Sequence, residues 1–441
     1  MAFSLHGVHV PHRKNTAEQS ALRMDPPKTV TLPMSMHIGA PAKPVVKVGD
    51  LVKVGTLIAE AGGAVSAPIH ASVSGKVVKI IDYLLSDGRT VPAVVIESDG
   101  EMTPDESVAA PTVNSREDFI EAVKNAGIVG LGGAGFPTHF KLNADPAKIE
   151  HLVINGAECE PYVTSDTRTM LERGDDMEIA LETIKRHLGV RNIVIGIENN
   201  KKKAIDAMSR LMQKISADGC VAQVKVLPAV YPQGGEKVLI YHTTGRVVPV
   251  GKLPIDAGCV VINCTTLAAI GAYLKNGMPL VEKCVTVDGG AVKEPKNLLV
   301  PIGTSMADVF AYCGGFASDP AKVVYGGPMM GIAVPDISAP ILKNTNAILA
   351  LTEKEIKLPK ETACIRCGSC TNTCPFGLNP ALIARAYQKR DAEALKDLSL
   401  MACMECGCCS FVCPANRPLV QTNKLAKVFL REEQAKEGGK S

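Results

Sequence analysis

Two runs of cysteines near the end of the chain repeat one spacing. Each run reads C-x-x-C-x-x-C-x-x-x-C-P, the first beginning at Cys364 and the second at Cys403. Three thiolates separated by two residues can bind three corners of one cubane, whereas the fourth cysteine of such a run binds the neighbouring cluster in two-cluster proteins. The spacing therefore predicts two [4Fe-4S] clusters whose ligands cross between the runs.

This crossing fixes the predicted ligand sets. One cluster is bound by Cys364, Cys367, Cys370 and Cys413, and the other by Cys374, Cys403, Cys406 and Cys409. Zinc is the main alternative because C-x-x-C pairs also bind zinc, but a four-ligand site has no use for a third evenly spaced cysteine. Cys408 is either an alternative ligand or a bystander. The spacing favours a bystander, because Cys409 keeps the pattern of the first run.

The residues between the two runs predict helices. Asn379-Pro380 is typical of a helix start, in which a capping side chain precedes a first-turn proline. Apolar residues then recur at helical spacing, so we expect a helical two-cluster domain rather than a β-hairpin ferredoxin. Two neighbouring clusters transfer single electrons, and such a path needs a donor and an acceptor at its ends.

A glycine loop precedes the first strand of a predicted α/β region. Its residues are Gly130, Gly132, Gly133, Gly135 and Phe136. They match G-x-G-x-x-G, but the dinucleotide fingerprint requires a strand before this string and a helix after it. Here a predicted helix precedes it, so the ordinary Rossmann interpretation fails. Lys141 lies six residues beyond the last glycine, within reach of a phosphate bound by the loop amides.

Asn155, Glu158 and Glu160 follow a short apolar strand, at the edge where open α/β sheets bind ligands. Carboxylates two residues apart in an extended chain point to one side. A solvated loop is the plain interpretation. The functional one is that the carboxylates accept hydrogen bonds from ribose hydroxyls or from a nicotinamide amide.

The whole pattern predicts a multidomain α/β protein. Short valine-rich strands between residues 30 and 100 resemble a barrel-sandwich hybrid, and the lack of lysine between Lys53 and Lys76 argues against a carrier module. Alternating helices and strands follow and predict a largely parallel sheet. The predicted domains are an N-terminal barrel-sandwich hybrid with an arm (1–104), an α/β domain that contains the glycine loop (112–280), a β-grasp-like domain (281–350) and a helical two-cluster domain (360–430).

The composition limits the kinds of partner that the chain can bind. A net charge of +3 and 4% aromatic residues argue against nucleic acid.

The first 20 residues contain no apolar core of a secretory signal, so we expect the chain to lie in a reducing cytosol. The uncharged segment 257–274 predicts a strand, a loop and a helix rather than a membrane span. We further expect residues 201–203 to be a solvated lysine run, a charged linker around Pro359, and a frayed tail after Arg431.

The glycine loop and the acidic segment resemble the flavoprotein subunit of respiratory complex I, which binds FMN and NADH. Residues 231–237 and 262–268 are similar to two further segments of that family. The resemblance implies that Tyr231, Glu236, Asn263 and Thr266 contact the flavin or the nucleotide. Two positions depart from the family, since Leu131 replaces its usual arginine and Gly235 a common second glutamate.

The order of the four domains resembles the C subunits of Rnf complexes, which are membrane electron-transfer complexes, over nearly the whole chain. This resemblance implies hydride exchange between NAD(H) and FMN, followed by single-electron transfer through two [4Fe-4S] clusters. It also implies the other Rnf subunits as partners, ferredoxin as an indirect partner, and a peripheral position on the cytoplasmic face of the membrane without a membrane span.

Two alternatives stay open. A cobalamin reductase of the microcompartment type shares these modules but usually places its hybrid segment after the clusters. A non-catalytic docking subunit would carry electrons without flavin.

Overall fold

A computed structural model describes residues 6–86, 88–217, 219–356 and 360–438. The N-terminal part contains β1 (Leu22–Arg23), β2 (Thr29–Pro33), β3 (Lys43–Pro44), β4 (Leu51–Val52), β5 (Leu57–Glu60), β6 (Ile69–His70), β7 (Gly75–Leu84) and β8 (Thr90–Ser98). Two antiparallel sheets form, in the orders β2-β8-β7-β4 and β3-β5-β6. Val30, Ile58 and Val77 from these sheets share one buried core. This arrangement confirms the barrel-sandwich hybrid.

The second part is an α/β domain. Its elements are α1 (Arg116–Asn125), α2 (Thr138–Leu142), β9 (His151–Asn155), α3 (Ser165–Glu172), α4 (Gly174–Leu188), β10 (Asn192–Glu198), α5 (Lys202–Ile215), β11 (Val221–Leu227), α6 (Glu236–Thr244), β12 (Cys259–Asn263) and α7 (Cys264–Asn276). The four strands are parallel, in the order β11-β10-β9-β12. Strand order reverses between β9 and β12, which is where open sheets bind ligands.

Two expectations for this domain are wrong in part. Lys201 is buried and its ammonium contacts the carboxylate of Glu198, so only Lys202 and Lys203 are solvated as expected. The uncharged segment has no loop between its strand and its helix, because α7 begins directly after β12. Within the described parts of the chain, no helix is long and apolar enough to cross a membrane.

The third part is strand-rich. It contains β13 (Glu282–Asp288), β14 (Lys296–Pro301), α8 (Met306–Tyr312), β15 (Lys322–Tyr325), β16 (Ile332–Val334) and β17 (Ala347–Leu351). These strands form a mixed sheet in the order β1-β14-β13-β17-β15-β16, so strand β1 from the start of the chain completes one edge. Helix α8 buries Val309 and Phe310 in the core of this sheet.

The C-terminal part is helical, as predicted. It contains α9 (Ser369–Asn372), α10 (Pro380–Gln388), α11 (Ala392–Asp397), α12 (Cys408–Phe411) and α13 (Leu419–Gly438). The side-chain oxygen of Asn379 accepts a hydrogen bond from the backbone amide of Leu382 at 3.1 Å, which confirms the predicted cap. Helix α13 continues to Gly438, so the expected frayed tail is wrong up to that residue. Pro359 and residues 439–441 lie outside the described residues.

Residues 6–23, the N-terminal arm, contact three of the four parts. The carbonyl of Gly7 accepts a hydrogen bond from the hydroxyl of Thr373 in the helical part. Val8 exchanges two backbone hydrogen bonds with Tyr231 of the α/β domain. Strand β1 then joins the third sheet. The arm therefore ties the later domains together.

Candidate cofactor sites

Two cavities in the helical domain are lined by cysteines from both runs. One, the inner cavity, is lined by Cys374, Cys403, Cys406, Cys408 and Cys409. The other, the outer cavity, is lined by Cys364, Cys367, Cys370 and Cys413. Each cavity thus contains the three evenly spaced thiols of one run and the fourth thiol of the other, which is the donor set that a cubane cluster requires. No three His, Cys, Asp or Glu side chains among the described residues are grouped to hold a single metal ion.

The two runs share one local backbone conformation. Arg366 and Glu405 have φ angles of 58° and 61°, and Gly368 and Gly407 follow at 78° and 83°. Left-handed residues at equivalent places turn each run in the same way before a short helix begins. This repeat explains how one spacing brings three thiols of each run to one cavity.

Cys408 occupies the place in the second run that Ser369 has in the first. The hydroxyl of Ser369 lies 3.4 Å from the sulfur of Cys367. Cys408 lines the inner cavity, and its buried thiol donates to the backbone carbonyl of Tyr231 at 3.8 Å. The Cys408 thiol therefore packs between the helical domain and the α/β domain.

The glycine loop lies against the first turn of α7. The hydroxyl of Thr266 accepts a hydrogen bond from the amide of Leu131 at 2.8 Å. A Cβ atom at Gly132 would lie 2.9 Å from the side-chain nitrogen of Asn263, so the loop can approach this closely only with glycine. At Gly133 a Cβ atom would contact nothing within 4 Å, so that side of the loop is open. The Leu131 side chain is buried in the core, which accounts for an apolar residue there.

Further predicted residues meet at the same edge of the sheet. Asn155 and Asn263 are register partners at the ends of β9 and β12, where the strand order reverses. The ammonium of Lys141 lies 2.8 Å from the carboxylate of Glu236, and both side chains are partly exposed. Asn155 donates to the carbonyl of Gly234 at 2.8 Å. The N-terminus of α7 and a lysine suit a bound phosphate.

The two glutamates differ from expectation. The segment that contains Glu158 and Glu160 is not a strand, and the two carboxylates have separate partners. Glu158 accepts from the amide of Asp166 at 2.7 Å, whereas Glu160 accepts from the amides of Met329 and Met330 at 3.0 and 2.8 Å. The expectation that both face one side is therefore wrong. Burial raises the pKa of each carboxyl to about 7.

The turn after β11 connects the α/β domain to the inner cavity. The Tyr231 side chain is only 2% exposed, and its hydroxyl donates to the carbonyl of Cys406 at 2.6 Å. A Cβ atom at Gly235 would lie 2.3 Å from the methyl group at the end of the Met404 side chain, so a larger residue there would require Met404 to move. Phe136 packs edge-on against Phe140 near the glycine loop.

Two residues at these sites, Asp166 and Lys14, were not predicted from the sequence. The carboxylate of Asp166 accepts hydrogen bonds from the side chains of Asn263 and Thr265 at 2.8 and 2.7 Å. The run of small polar residues at 164–167, typical of a helix start, was the available signal. The ammonium of Lys14 in the N-terminal arm donates to the carbonyls of Glu158 and Glu160 at 2.9 and 2.8 Å, and no local pattern indicates this.

Family models match the chain in the order of its parts. They are the RnfC barrel sandwich hybrid domain (residues 3–101), the Nuo51 FMN-binding domain (123–272), the SLBB domain (284–333) and a 4Fe-4S dicluster domain (357–414).

Three curated proteins are similar over nearly their whole length. The chain is 46% identical to the C subunit of the proton-translocating ferredoxin:NAD(+) oxidoreductase complex of Clostridium ljungdahlii, covering 94% of this chain and 91% of that protein. Identity is 44% to the C subunit of the Na(+)-translocating ferredoxin:NAD(+) oxidoreductase complex of Acetobacterium woodii, covering 96% and 95%. It is 42% to the C subunit of the ion-translocating oxidoreductase complex of Rhodobacter capsulatus, covering 99% and 85%.

Proposed function

The chain belongs to the family of C subunits of ion-translocating ferredoxin:NAD(+) oxidoreductase complexes, and on that basis we propose that it is the NAD(H)-linked electron-transfer subunit of such a complex. It carries an FMN-binding domain and a two-cluster domain. FMN, when bound, exchanges a hydride with NAD(H) and single electrons with the clusters. We further propose that its four domains span residues 1–104, 112–280, 281–350 and 360–430.

The observation that carries the proposal is the junction between the α/β domain and the inner cavity. In the turn after β11, Tyr231 contacts Cys406 and Gly235 lies beside Met404. Cys364 and Cys367 of the outer cavity are exposed. This geometry supports a path in which the cluster of the inner cavity is nearest the flavin and the cluster of the outer cavity faces a partner.

We propose that the flavin binds at the edge of the sheet between β9 and β12. The phosphate would be held by the amides of the glycine loop, the α7 N-terminus and the ammonium of Lys141. We assign the following residues to FMN or NAD(H): Gly130, Gly132, Gly133, Gly135, Phe136, Lys141, Asn155, Glu158, Glu236, Asn263 and Thr266. Glu160 and Tyr231, also predicted from the sequence, are left out because their side chains bind Met329, Met330 and Cys406 instead. Because Lys141 is paired with Glu236 and partly exposed, it can turn to a phosphate without leaving a buried charge behind.

We propose that the partners of the chain are the other subunits of the complex, with ferredoxin as an indirect partner. We also propose that the chain lies peripherally on the cytoplasmic face of the membrane. Ile365 and Leu382 line the outer cavity and are exposed, which supports a protein contact there. An exposed apolar rim beside a cluster is the kind of surface that another redox protein can cover.

The full chain, purified with iron, sulfide and FMN, tests the proposal. We expect one FMN per chain and reduction of a dye by NADH. Bound FMN without any dye reduction would overturn the proposal. Iron and sulfide without flavin would favour the docking subunit, and reduction of cob(II)alamin at a rate that competes with the dye would favour the cobalamin reductase.

Lys141→Gln tests the phosphate contact separately. We expect about tenfold weaker FMN binding, because a charge-assisted contact to phosphate is lost. Lys124→Gln is the matched control, since Lys124 pairs with Glu121 on the exposed face of α1. Equal affinity of both variants would remove Lys141 from the site.

A further inference from the structure

Asp166 joins α3 to α7 through a buried carboxylate. Asp166 is 6% exposed, and each of its carboxylate oxygens has a partner at the start of α7, either the capping residue Asn263 or Thr265 of the first turn. One oxygen accepts from the side-chain nitrogen of Asn263 at 2.8 Å, and the other from the hydroxyl of Thr265 at 2.7 Å. Because a carboxylate can only accept hydrogen bonds, the side-chain amide of Asn263 and the hydroxyl of Thr265 must both donate to it.

These partners connect Asp166 to the glycine loop. The side-chain oxygen of Asn263 accepts from the amides of Thr265 and Thr266 at 2.9 and 3.2 Å, so its nitrogen must face Asp166. The same nitrogen lies 2.9 Å from where a Cβ atom of Gly132 would be. The hydroxyl of Thr266 accepts from the amide of Leu131. The loop thus lies on groups whose orientation Asp166 sets.

A buried lysine offsets the charge of this carboxylate. Lys283 on β13 is 2% exposed, and its ammonium has no hydrogen-bond partner in the described structure. Burial lowers the pKa of Lys283, and among its neighbours Asp166 opposes that shift most strongly. A buried ion without such a neighbour is strongly disfavoured. The third sheet therefore contributes a counter-charge to the α/β domain.

We propose that Asp166 is a positioning residue for the flavin, which holds Asn263 and the first turn of α7 so that the glycine loop keeps its phosphate-binding shape. This inference rests on the proposed flavin site. In Asp166→Asn, one carboxylate oxygen becomes an amide nitrogen that faces a donor of α7. The orientation of the Asn263 side chain is then no longer fixed, so the glycine loop loses the rigid contact at Gly132.

The test compares Asp166→Asn with Asp288→Asn in the full chain loaded with iron and sulfide. Asp288 is the matched control, because it is 1% exposed and accepts from Asn15 and from the amide of Gly289, away from the loop. FMN affinity is measured by quenching of flavin fluorescence on binding. We expect at least a tenfold higher Kd for Asp166→Asn and an unchanged Kd for Asp288→Asn. Wild-type affinity in Asp166→Asn would overturn the inference.

The double variant Asp166→Asn/Lys283→Met separates positioning from charge balance and covers poor folding of the single variant. We expect it to recover thermal stability, because neither buried charge remains, but to keep the weak FMN binding. Recovery of wild-type affinity would overturn the inference, since Asp166 would then act only as a counter-charge. A wild-type chain that binds no FMN would overturn the proposed function and this inference with it.

Discussion

The hydroxyl of Tyr231 donates a hydrogen bond of 2.6 Å to the backbone carbonyl of Cys406. Tyr231 belongs to the α/β domain and Cys406 to the predicted ligands of the inner cavity, so one buried bond spans the junction between the two redox modules. Burial raises the pKa of the Tyr231 hydroxyl, which therefore keeps its proton and remains a donor. The junction is thus held by a specific polar contact within an apolar cluster that includes Val8 and Cys408.

Tyr231→Phe removes this bond and keeps the ring. We expect unfolding free energy to fall by about 1 kcal/mol. We expect slower cluster reduction by NADH and unchanged dye reduction at the flavin, because only the path across the junction is loosened. Stopped-flow absorbance separates the two rates. Tyr325→Phe is the control, since Tyr325 donates to the carbonyl of Pro340 inside the third sheet. Equal cluster reduction in both variants would contradict the role of the junction.

Crossed ligation predicts which cysteine variants behave alike. Cys413→Ser and Cys364→Ser should alter one electron paramagnetic resonance signal, whereas Cys374→Ser and Cys409→Ser should alter the other. Bound iron should fall from about eight to about four atoms per chain where one cluster is lost. If Cys413→Ser instead altered the same signal as Cys409→Ser, each run would bind its own cluster.

Cys408→Ser is the matched control for those variants, because serine stands at the equivalent position in the first run. We expect both signals and the full iron content to remain, with at most a small loss of stability from the buried contact to Tyr231. Iron analysis and the same spectra measure this. Loss of one cluster would make Cys408 a ligand.

His70 makes stability depend on pH. Burial lowers the pKa of His70 to about 3. Below about pH 6.5 the unfolded chain takes up a proton that the folded chain excludes, so stability falls as pH falls from 6.5 towards 3. At pH 5 this costs about 2 kcal/mol relative to pH 8. In His70→Leu, the unfolding free energy measured with urea should therefore fall less between pH 8 and pH 5 than it does in the wild type. An equal fall in the two proteins would refute this origin.

Lys14→Met tests how firmly the N-terminal arm is attached. The ammonium donates to the carbonyls of Glu158, Glu160 and Val163, and the substitution leaves these acceptors without a partner. We expect a loss of about 1–3 kcal/mol of stability and faster proteolysis of the arm. Lys203→Met is the control, because Lys203 forms an exposed pair with Glu18 of the arm. Equal proteolysis of both variants would count against the role of Lys14.

Features that depend on neighbouring residues were predictable. The cap at Asn379 and the collection of the four predicted ligand cysteines at each cavity both follow from short patterns. Each involves either a few consecutive residues or a spacing that the chemistry of a cluster demands. The domain order followed in the same way from a series of local patterns.

Features that depend on distant parts were not predictable. Glu160 was expected to face a nucleotide, but its carboxylate accepts hydrogen bonds from the backbone of a turn about 170 residues later. The alternation of side chains along an extended segment cannot predict such a distant partner. Lys201 belongs to a lysine run, yet Glu198 at the end of a buried strand draws its ammonium inwards. The side chain of Met404, from another domain, lies beside Gly235, a contact that the local sequence does not indicate.

The N-terminal arm also sets an order of events during synthesis. Gly7 and its partner Thr373 are 366 residues apart. At about 5–20 residues per second, roughly 20–70 s separate their emergence from the ribosome. During that time Val8 and Val10, which are buried in the finished protein, have no completed surface to pack against. The segment made first is therefore completed last, and its docking requires that the cluster domain has already emerged.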